Sequence, residues 1–598
     1  MKDKERQKLR LRATLLFWAL FAIVTLLGVR LYRVQVRDGA ALAAGAGLEQ
    51  EAKFDISGKR GDIVDRFSVP FATSLPASAV YARPDEITDA DGVAAKLAPA
   101  LGMSTNEIRD AIRGKSSFEY VARNVPRDKA DAVTRLGLRG IGTVEEPLGL
   151  RVVPQGRVGS TLVGFTGVDN QGLAGVEYEF DELLKGQSGQ VVEAVDNEDR
   201  PIPFGRRVIR PPVVGDTVVL TVDRMLEYEA EEILRETART YHAADASVII
   251  MRAQTGEILA IANYPNFDPS RYAQSPESSW RNRAITDPYE PGSTFKVITA
   301  AAAIDSGKVT TDDTFAARDQ IEVGGRIIHN ADDGMMASGH AYETVDDIIT
   351  FSHNVGAAEI ALRTGEETMY DYIKRFGLDE PTGVDLPGES GGILGSPSDW
   401  YGSRLATIGF GQGVSVTALQ LADAYCAIAN GGLLMRPMIA REIVGPDGKI
   451  VKTFVPQIIR RVIKPETSAA LLTMMRDVVK RGTGSAAQIP GYSLAGKTGT
   501  AQMVVGGQYV TGAYTASFAG IIPADKPQYV VLVKFDRPQG AYYGSVVALP
   551  AFRNLAARVF WRERIMQRDS ATQIADPASA QPIRPSAAAL QGNPERQQ

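Results

Sequence analysis

Between Ala13 and Val29 the chain reads ATLLFWALFAIVTLLGV, an uncharged apolar run placed directly behind MKDKERQKLRLR. Its length lies near the lower end of the roughly 17 to 25 residues a helix needs to cross a bilayer. Lys2, Lys4, Arg6, Lys8, Arg10 and Arg12, set against Asp3 and Glu5, favour an N-terminus left in the cytoplasm. Everything that follows is then expected to fold outside the membrane, tethered at one end. Arg30, Arg33 and Arg37 follow the run and temper the charge asymmetry. ALAAGA, Ala41 to Ala46, has the small residues of a signal-peptidase site, but it lies far beyond the apolar run and behind those arginines. The segment 13–32 therefore reads as an uncleaved anchor in the cytoplasmic membrane, with 1–12 as a basic tail.

A chain of 598 residues exceeds one ordinary core, so two or more folded units are expected. With 44% hydrophobic and 23% charged residues it has a globular composition, and a net charge of -5 gives no footing for a nucleic-acid partner. The lone Cys426 sits in LADAYCAIANGG, among small and apolar residues, and reads as a buried structural thiol. From about Leu48 to Val219, short apolar runs broken by Gly, Pro and Asp suggest a strand-rich region. A second domain begins near Leu220. There Leu226, Ala230, Ile233, Leu234 and Ala238 recur at helical spacing, predicting an amphipathic helix with a charged outer face. Two β-rich runs around Gln254-Thr255-Gly256 predict a hairpin. SLAGKTGTAQMV, YTASFAGII and QYVVLVKF predict three more strands, the last two joined by the ADKP turn, Ala524 to Pro527. An antiparallel sheet built from both ends of this domain, with helices over its faces, is the economical architecture. The Pro-, Ala- and Gln-rich residues 567–598 lack the means to form a core.

In YEPGSTFK, Tyr289 to Lys296, Ser293 and Lys296 stand three positions apart just after Pro291-Gly292. If a helix starts near Ser293, the lysine amine lies a turn from the hydroxyl, and the free N–H groups of the helix start lie beside it. A lysine acts as a base when desolvation or a second cation lowers its pKa, so a second cation is expected nearby. Taken alone, Ser-x-x-Lys is commonplace. Here it is followed by Ser352-His353-Asn354 and then by Lys497-Thr498-Gly499-Thr500 on a predicted strand. With His242, His329, His340 and His353 as the whole histidine complement and no Gly-x-Ser-x-Gly elbow, a Ser-His-Asp hydrolase is disfavoured. His353 itself reads as a packing or surface residue.

The ordered triplet resembles the active-site motifs of penicillin-binding serine D,D-transpeptidases and β-lactamases. The resemblance is closest to the class B penicillin-binding proteins and covers nearly the whole chain. RNRAITDPYEPGSTFKVITA, ATIGFGQGVSVTALQLADAYCAIANGG and ASFAGIIPADKPQYVVLVKF carry it in the second half, and RGDIVDR and GLAGVEYEFDELLKGQSG carry it in the first. One departure is that Phe67-Ser68 stands where the family commonly has Asn-Gly after Asp-Arg, which puts the local turn in question. The resemblance implies a membrane-anchored α+β protein. It would have a single N-terminal transmembrane helix, a pedestal domain over 33–219 of the class B dimerisation type, and a transpeptidase domain over 220–566. That last domain would be β-lactamase-like, an antiparallel sheet flanked by helices.

By the same resemblance, Ser293 would attack the penultimate D-Ala of a peptidoglycan stem peptide, with Lys296 as candidate base. Ser352 would relay a proton to the leaving amine, and Asn354 would hold Lys296 and the substrate amide. Lys497 would supply the second cation. Thr498 and Thr500 would offer hydroxyls to the substrate carboxylate, Gly499 would allow close approach, and the N–H groups of Ser293 and Thr500 would form the oxyanion hole. No metal or cofactor is implied. β-Lactams would acylate the same serine. Glu290 matches the division (septal), FtsI-like branch, where the elongation branch more often has a second proline. That branch implies an FtsW-type glycosyltransferase and other divisome membrane proteins as partners. An elongation-type enzyme, a β-lactam sensor or division scaffold, and a β-lactamase are the alternative readings.

Overall fold

The computed structural model describes residues 2–38, 51–56, 58–113, 117–195, 201–331 and 341–565. The ALAAGA stretch and the residues 567–598 lie outside these. Helix α1, Lys2–Tyr32, runs through both the basic tail and the apolar segment and ends in one π-turn, Arg33–Arg37. Leu15, Phe17, Trp18 and Phe21 are exposed along it, and among the described residues it is the one helix long and apolar enough to cross a membrane. By internal contacts α1 groups with residues 186–214, whose strands Gly189–Val195 and Pro201–Arg210 form an antiparallel sheet with Glu51–Ile56.

The second unit comprises 60–185 and 215–565, so the expected pedestal segment 33–219 is shared between the two. Within this unit, strand Thr217–Leu220 lies parallel to Ile63–Val64 and antiparallel to Ala440–Val444. The sheet continues through Pro70–Ala82 to Glu119–Pro126 and Ile141–Val152. Ile63, Phe71, Leu162, Val176 and Leu184 share one continuous apolar core with the C-terminal half. In the same segment Arg60 of RGDIVDR is buried against Glu177 and Asp181, both at 2.5 Å, and Arg151 reaches Glu177 at 2.7 Å. The turn after Asp65-Arg66 forms with Ser68 in the left-handed region (φ 64°). Asp65 Oδ1 accepts from the N–H groups of Phe67 and Val69, both at 2.8 Å.

The C-terminal half opens with α2, Arg224–Thr240, then the hairpin β1, Asp245–Arg252, and β2, Ile258–Tyr264. Three late strands complete the sheet: β6, Ala495–Val505; β7, Gln508–Ile522; and β8, Tyr529–Asp536. The short strands β3, Gln320–Val323, β4, Arg326–His329, and β5, Tyr342–Thr344, lie between β2 and β6 in the chain. The order is β2-β1-β8-β7-β6, antiparallel throughout, as the spacing of β-rich runs predicts. β6 and β7 are longer than predicted, because Gly506-Gly507 closes them into a hairpin. Alternate residues face opposite ways. Val248, Ile250, Val531 and Val533 meet α2 and the C-terminal helix Gly544–Arg562, whereas Ile249, Met251, Val530 and Leu532 meet the core that holds helix Ala418–Ala429.

The expected charged outer face of α2 needs correction. Glu236 and Arg239 are exposed, but Glu227 and Glu231 are buried. Glu227 accepts from Ile261 N–H at 2.8 Å, and Glu231 accepts from Gly159 N–H at 2.8 Å and Asn266 at 3.0 Å. The helix is covered on two sides, and burial pushes both carboxyls up.

Candidate active site

Ser293 does not open an α-helix directly. Gly292–Phe295 form a 3-10 turn that feeds α3, Lys296–Asp305. The turn is pinned from several directions. Gly292 N–H donates to Gly411 O at 3.0 Å, Tyr289 exchanges backbone bonds with Val416, and Tyr425 OH donates to Thr294 O at 2.8 Å. These partners come from the GFGQG stretch, from Val416 just after it and from the helix that follows, and they hold Ser293 half-buried at a cleft of about 230 Å³. The cleft's other wall is a small hairpin that the sequence did not reveal, β3, Gln320–Val323, and β4, Arg326–His329.

The second segment follows the short strand β5, Tyr342–Thr344. Thr344 and Asp347 form a capping box that starts α4, Val345–Phe351, and α5, Asn354–Thr364, begins three residues after α4 ends. Ser352 closes α4 in a left-handed conformation (φ 65°). This bend turns its side chain and that of Asn354 toward Lys296. The Lys296 amine donates to Ser352 O at 2.5 Å and Asn354 Oδ1 at 2.7 Å, with Ser352 Oγ at 3.4 Å. Asn354 Nδ2 in turn donates to His329 O of β4 at 2.9 Å.

The third segment lies on β6, the sheet's edge strand. Lys497 is fully buried, and its Nζ donates to Ser352 Oγ at 2.8 Å and to Thr498 O at 3.3 Å. No described carboxylate lies within ion-pair reach of it. Desolvation pulls its pKa down to about 7. Ser352 Oγ thus stands within hydrogen-bond reach of two amines brought from opposite sides. Thr498 Oγ1 shares a 2.9 Å bond with Thr483, and Thr500 Oγ1 accepts from Gly544 N–H at 3.0 Å. A side chain on Gly499 would place its Cβ 2.3 Å from Ser517 Oγ and 2.9 Å from Thr294 Cγ2. What glycine permits here is close approach of the edge strand to the nucleophile turn. Thr500 lines the same cleft as Ser293.

Ser293, Asn354 and Thr500 line this cleft, and Lys296, Ser352 and Lys497 are joined to it through the hydrogen bonds that run from Asn354 to Lys296 and on through Ser352. Residues that sequence reasoning missed also converge there: Arg326 and His329 of the hairpin, and Phe410 and Gln412 of the GFGQG stretch. Glu290 is held by Gly413 N–H at 2.7 Å and Tyr509 OH at 3.3 Å. Of the two expectations for His353 the packing one holds, for it is buried, and its Nδ1 lies 2.5 Å from Oε2 of the buried Glu343. Cys426 is buried as expected, and burial pushes its thiol well up. Among the described residues no group of three or more His, Cys, Asp or Glu is placed to hold a metal ion.

Two family models match the chain. A penicillin-binding protein dimerisation domain matches residues 55–220, and a penicillin binding protein transpeptidase domain matches residues 246–557. The chain is 36% identical over 554 residues to stage V sporulation protein D of Bacillus subtilis, covering 91% of this chain and 85% of that protein. It is 34% identical over 547 residues to the peptidoglycan D,D-transpeptidase FtsI of Escherichia coli, covering 89% and 88%. Among solved structures, penicillin-binding protein 3 of Mycobacterium tuberculosis in complex with aztreonam superposes with a TM-score of 0.67 at 30% identity, covering 88% of this chain and 100% of that one.

Proposed function

The chain belongs to the class B penicillin-binding proteins, the peptidoglycan D,D-transpeptidases, and on that premise we propose that it cross-links stem peptides through a Ser293 acyl-enzyme during septal wall synthesis. The single observation that carries the site assignment is Ser352 Oγ lying within reach of both the Lys296 and Lys497 amines.

Ser293 Oγ attacks the penultimate D-Ala carbonyl and passes its proton to Lys296. The N–H groups of Ser293 and Thr500 receive the developing oxyanion, a contribution that is commonly the largest in acyl transfer. The proton moves from Lys296 through Ser352 to the departing terminal D-Ala as its C–N bond breaks. Asn354 keeps Lys296 aimed and holds the substrate amide. Lys497, with Thr498 and Thr500, takes the substrate carboxylate. An acceptor stem amine then attacks the ester carbon, forms the cross-link amide and returns the proton to Ser293. β-Lactams enter by the same route, their ring amide standing for the D-Ala–D-Ala bond.

The basic tail supports a cytoplasmic N-terminus with the catalytic half outside. Glu290, fixed by Gly413 and Tyr509, and the similarity to FtsI support the septal assignment and, with it, an FtsW-type glycosyltransferase and divisome membrane proteins as partners. Intact-mass spectrometry after brief exposure to benzylpenicillin tests the site. One adduct that persists for hours and is absent from Ser293→Ala is expected. An adduct that vanishes within seconds while drug is consumed would mean a β-lactamase, and an adduct retained in Ser293→Ala would overturn the nucleophile. Complementation of a division-arrested strain by wild type but not by Ser293→Ala tests the septal role, and rescue by Ser293→Ala would favour a scaffold.

A further inference from the structure

Ser352 is held by a backbone conformation that an L-residue with a side chain adopts at a cost. A residue in that region persists where its surroundings over-determine it. Two hydrogen bonds from the helix end contribute, since the N–H groups of Ser352 and His353 both reach Ile348 O. The other support is on the far side of the bend. His353, the residue between Ser352 and Asn354, is 4% exposed and Glu343 of β5 is 3% exposed. His353 Nδ1 and Glu343 Oε2 meet across a 2.5 Å hydrogen bond.

The room for this contact is built in. A Cβ on Gly356 would lie 2.6 Å from Glu343 Oε1 and 2.5 Å from Ile348 Cγ1, so glycine in the first turn of α5 admits the carboxylate. Glu343 is followed at once by Thr344, whose capping box starts α4, and it pairs in register with Phe315 of strand Thr314–Ala316. The same strand therefore grips the start of α4 and, through Glu343, the bend at its end. The His353 ring also stacks on Phe351, with centroids 5.9 Å apart.

We propose that Glu343 and His353 are a positioning pair that holds the Ser352 hydroxyl in register between the Lys296 and Lys497 amines. Neither residue touches substrate; both act through the bend. This inference rests on the reading of Ser352 as the proton relay, and a comparison of leaving groups separates the two. A β-lactam nitrogen must be protonated as its C–N bond breaks, whereas the sulfur of a D-alanyl thioester departs as thiolate and needs no relayed proton. Loss of relay geometry therefore penalises the β-lactam and spares the thioester, while a general loss of folded protein lowers both alike.

The experiment measures acylation rate constants of the full-length chain in detergent with benzylpenicillin and with a carboxylate-bearing D-alanyl thioester. Wild type, Ser352→Ala, Glu343→Gln and His353→Gln are compared, with thermal melts alongside. Ser352→Ala should lower the penicillin-to-thioester ratio by about 10² to 10⁴, the range of a general acid. Glu343→Gln and His353→Gln should lower the same ratio by roughly tenfold to a hundredfold, as a displacement of about 1 Å does. If Ser352→Ala lowers the ratio and both pair variants leave it at the wild-type value, the positioning role is overturned with the relay intact. If Ser352→Ala itself leaves the ratio unchanged, the relay reading fails and the pair's role falls with it. The two pair variants are independent, so one that does not fold leaves the other to decide.

Discussion

Two buried clusters of charge in this molecule are solved in opposite ways. Within the N-terminal half, Arg60, Arg151, Glu177 and Asp181 meet as cations and anions at 2.5 to 2.7 Å. In the cleft, the buried amines of Lys296 and Lys497 hold hydroxyl, carbonyl and amide oxygens. Pairing makes the first cluster costly to break and chemically inert. With no described carboxylate beside Lys497 the second is reactive, because desolvation brings its pKa to about 7 and an arriving substrate carboxylate completes it. Buried charge neutralised within the chain serves the fold, and buried charge left for a ligand to neutralise serves the reaction.

The sharpest test removes one member from each cluster. Lys296→Ala should slow acylation by benzylpenicillin by about 10³-fold or more, the combined loss of base and orienter, while the melting temperature stays near wild type. Glu177→Ala should do the reverse. It leaves two guanidinium groups buried with one carboxylate, at a cost of about 3 to 5 kcal/mol, read as a lowered denaturant midpoint, and the surviving folded protein should acylate at the wild-type rate. A Glu177→Ala protein of unchanged stability would break the comparison.

A smaller effect follows from the sign of the Lys497 shift. Its free-enzyme pKa lies at about 7, and a bound carboxylate favours the ammonium and raises that value. At pH 6 the amine is protonated before and after binding, so no proton is taken up. At pH 8 it is mostly neutral when free and charged when bound, so uptake close to one proton is expected. Calorimetry with a carboxylate-bearing, non-acylating ligand in buffers of different ionisation enthalpy reads this number directly. Lys497→Gln should abolish it, and uptake that does not change between pH 6 and pH 8 would mean that Lys497 is not the carboxylate's partner.

The difference between the clusters was only half legible in the sequence. Ser293, Lys296, Ser352, Asn354 and Lys497 could be read because their chemistry tolerates few substitutes and their order is distinctive. The strands of the catalytic sheet could be read from runs such as ASVIIM and QYVVLVKF. Glu227 and Glu231 could not, since two glutamates at i and i+4 on a helix look the same whether they face water or backbone N–H groups. The β3–β4 wall was hidden because it contributes the His329 carbonyl and a surface arginine, neither of which has a sequence signature. His353 reads as a packing or surface residue, and it does pack, but its carboxylate partner ten residues away on another element leaves no trace in periodicity.

The smallest effect concerns a third way of holding a buried charge. Asp65 is 2% exposed and takes its hydrogen bonds from backbone, the N–H groups of Phe67 and Val69. Within this turn Ser68 stands at φ 64°. Left-handed backbone costs a residue with a side chain about 1 to 2 kcal/mol, and glycine's larger unfolded-state entropy returns part of that. Ser68→Gly should therefore stabilise the protein by roughly 0.5 to 1 kcal/mol without altering acylation. A destabilised Ser68→Gly would mean that the serine hydroxyl, and not the Asp65 carboxylate alone, holds this turn, and backbone capping would then be a weaker counterpart to the ion cluster than the distances indicate.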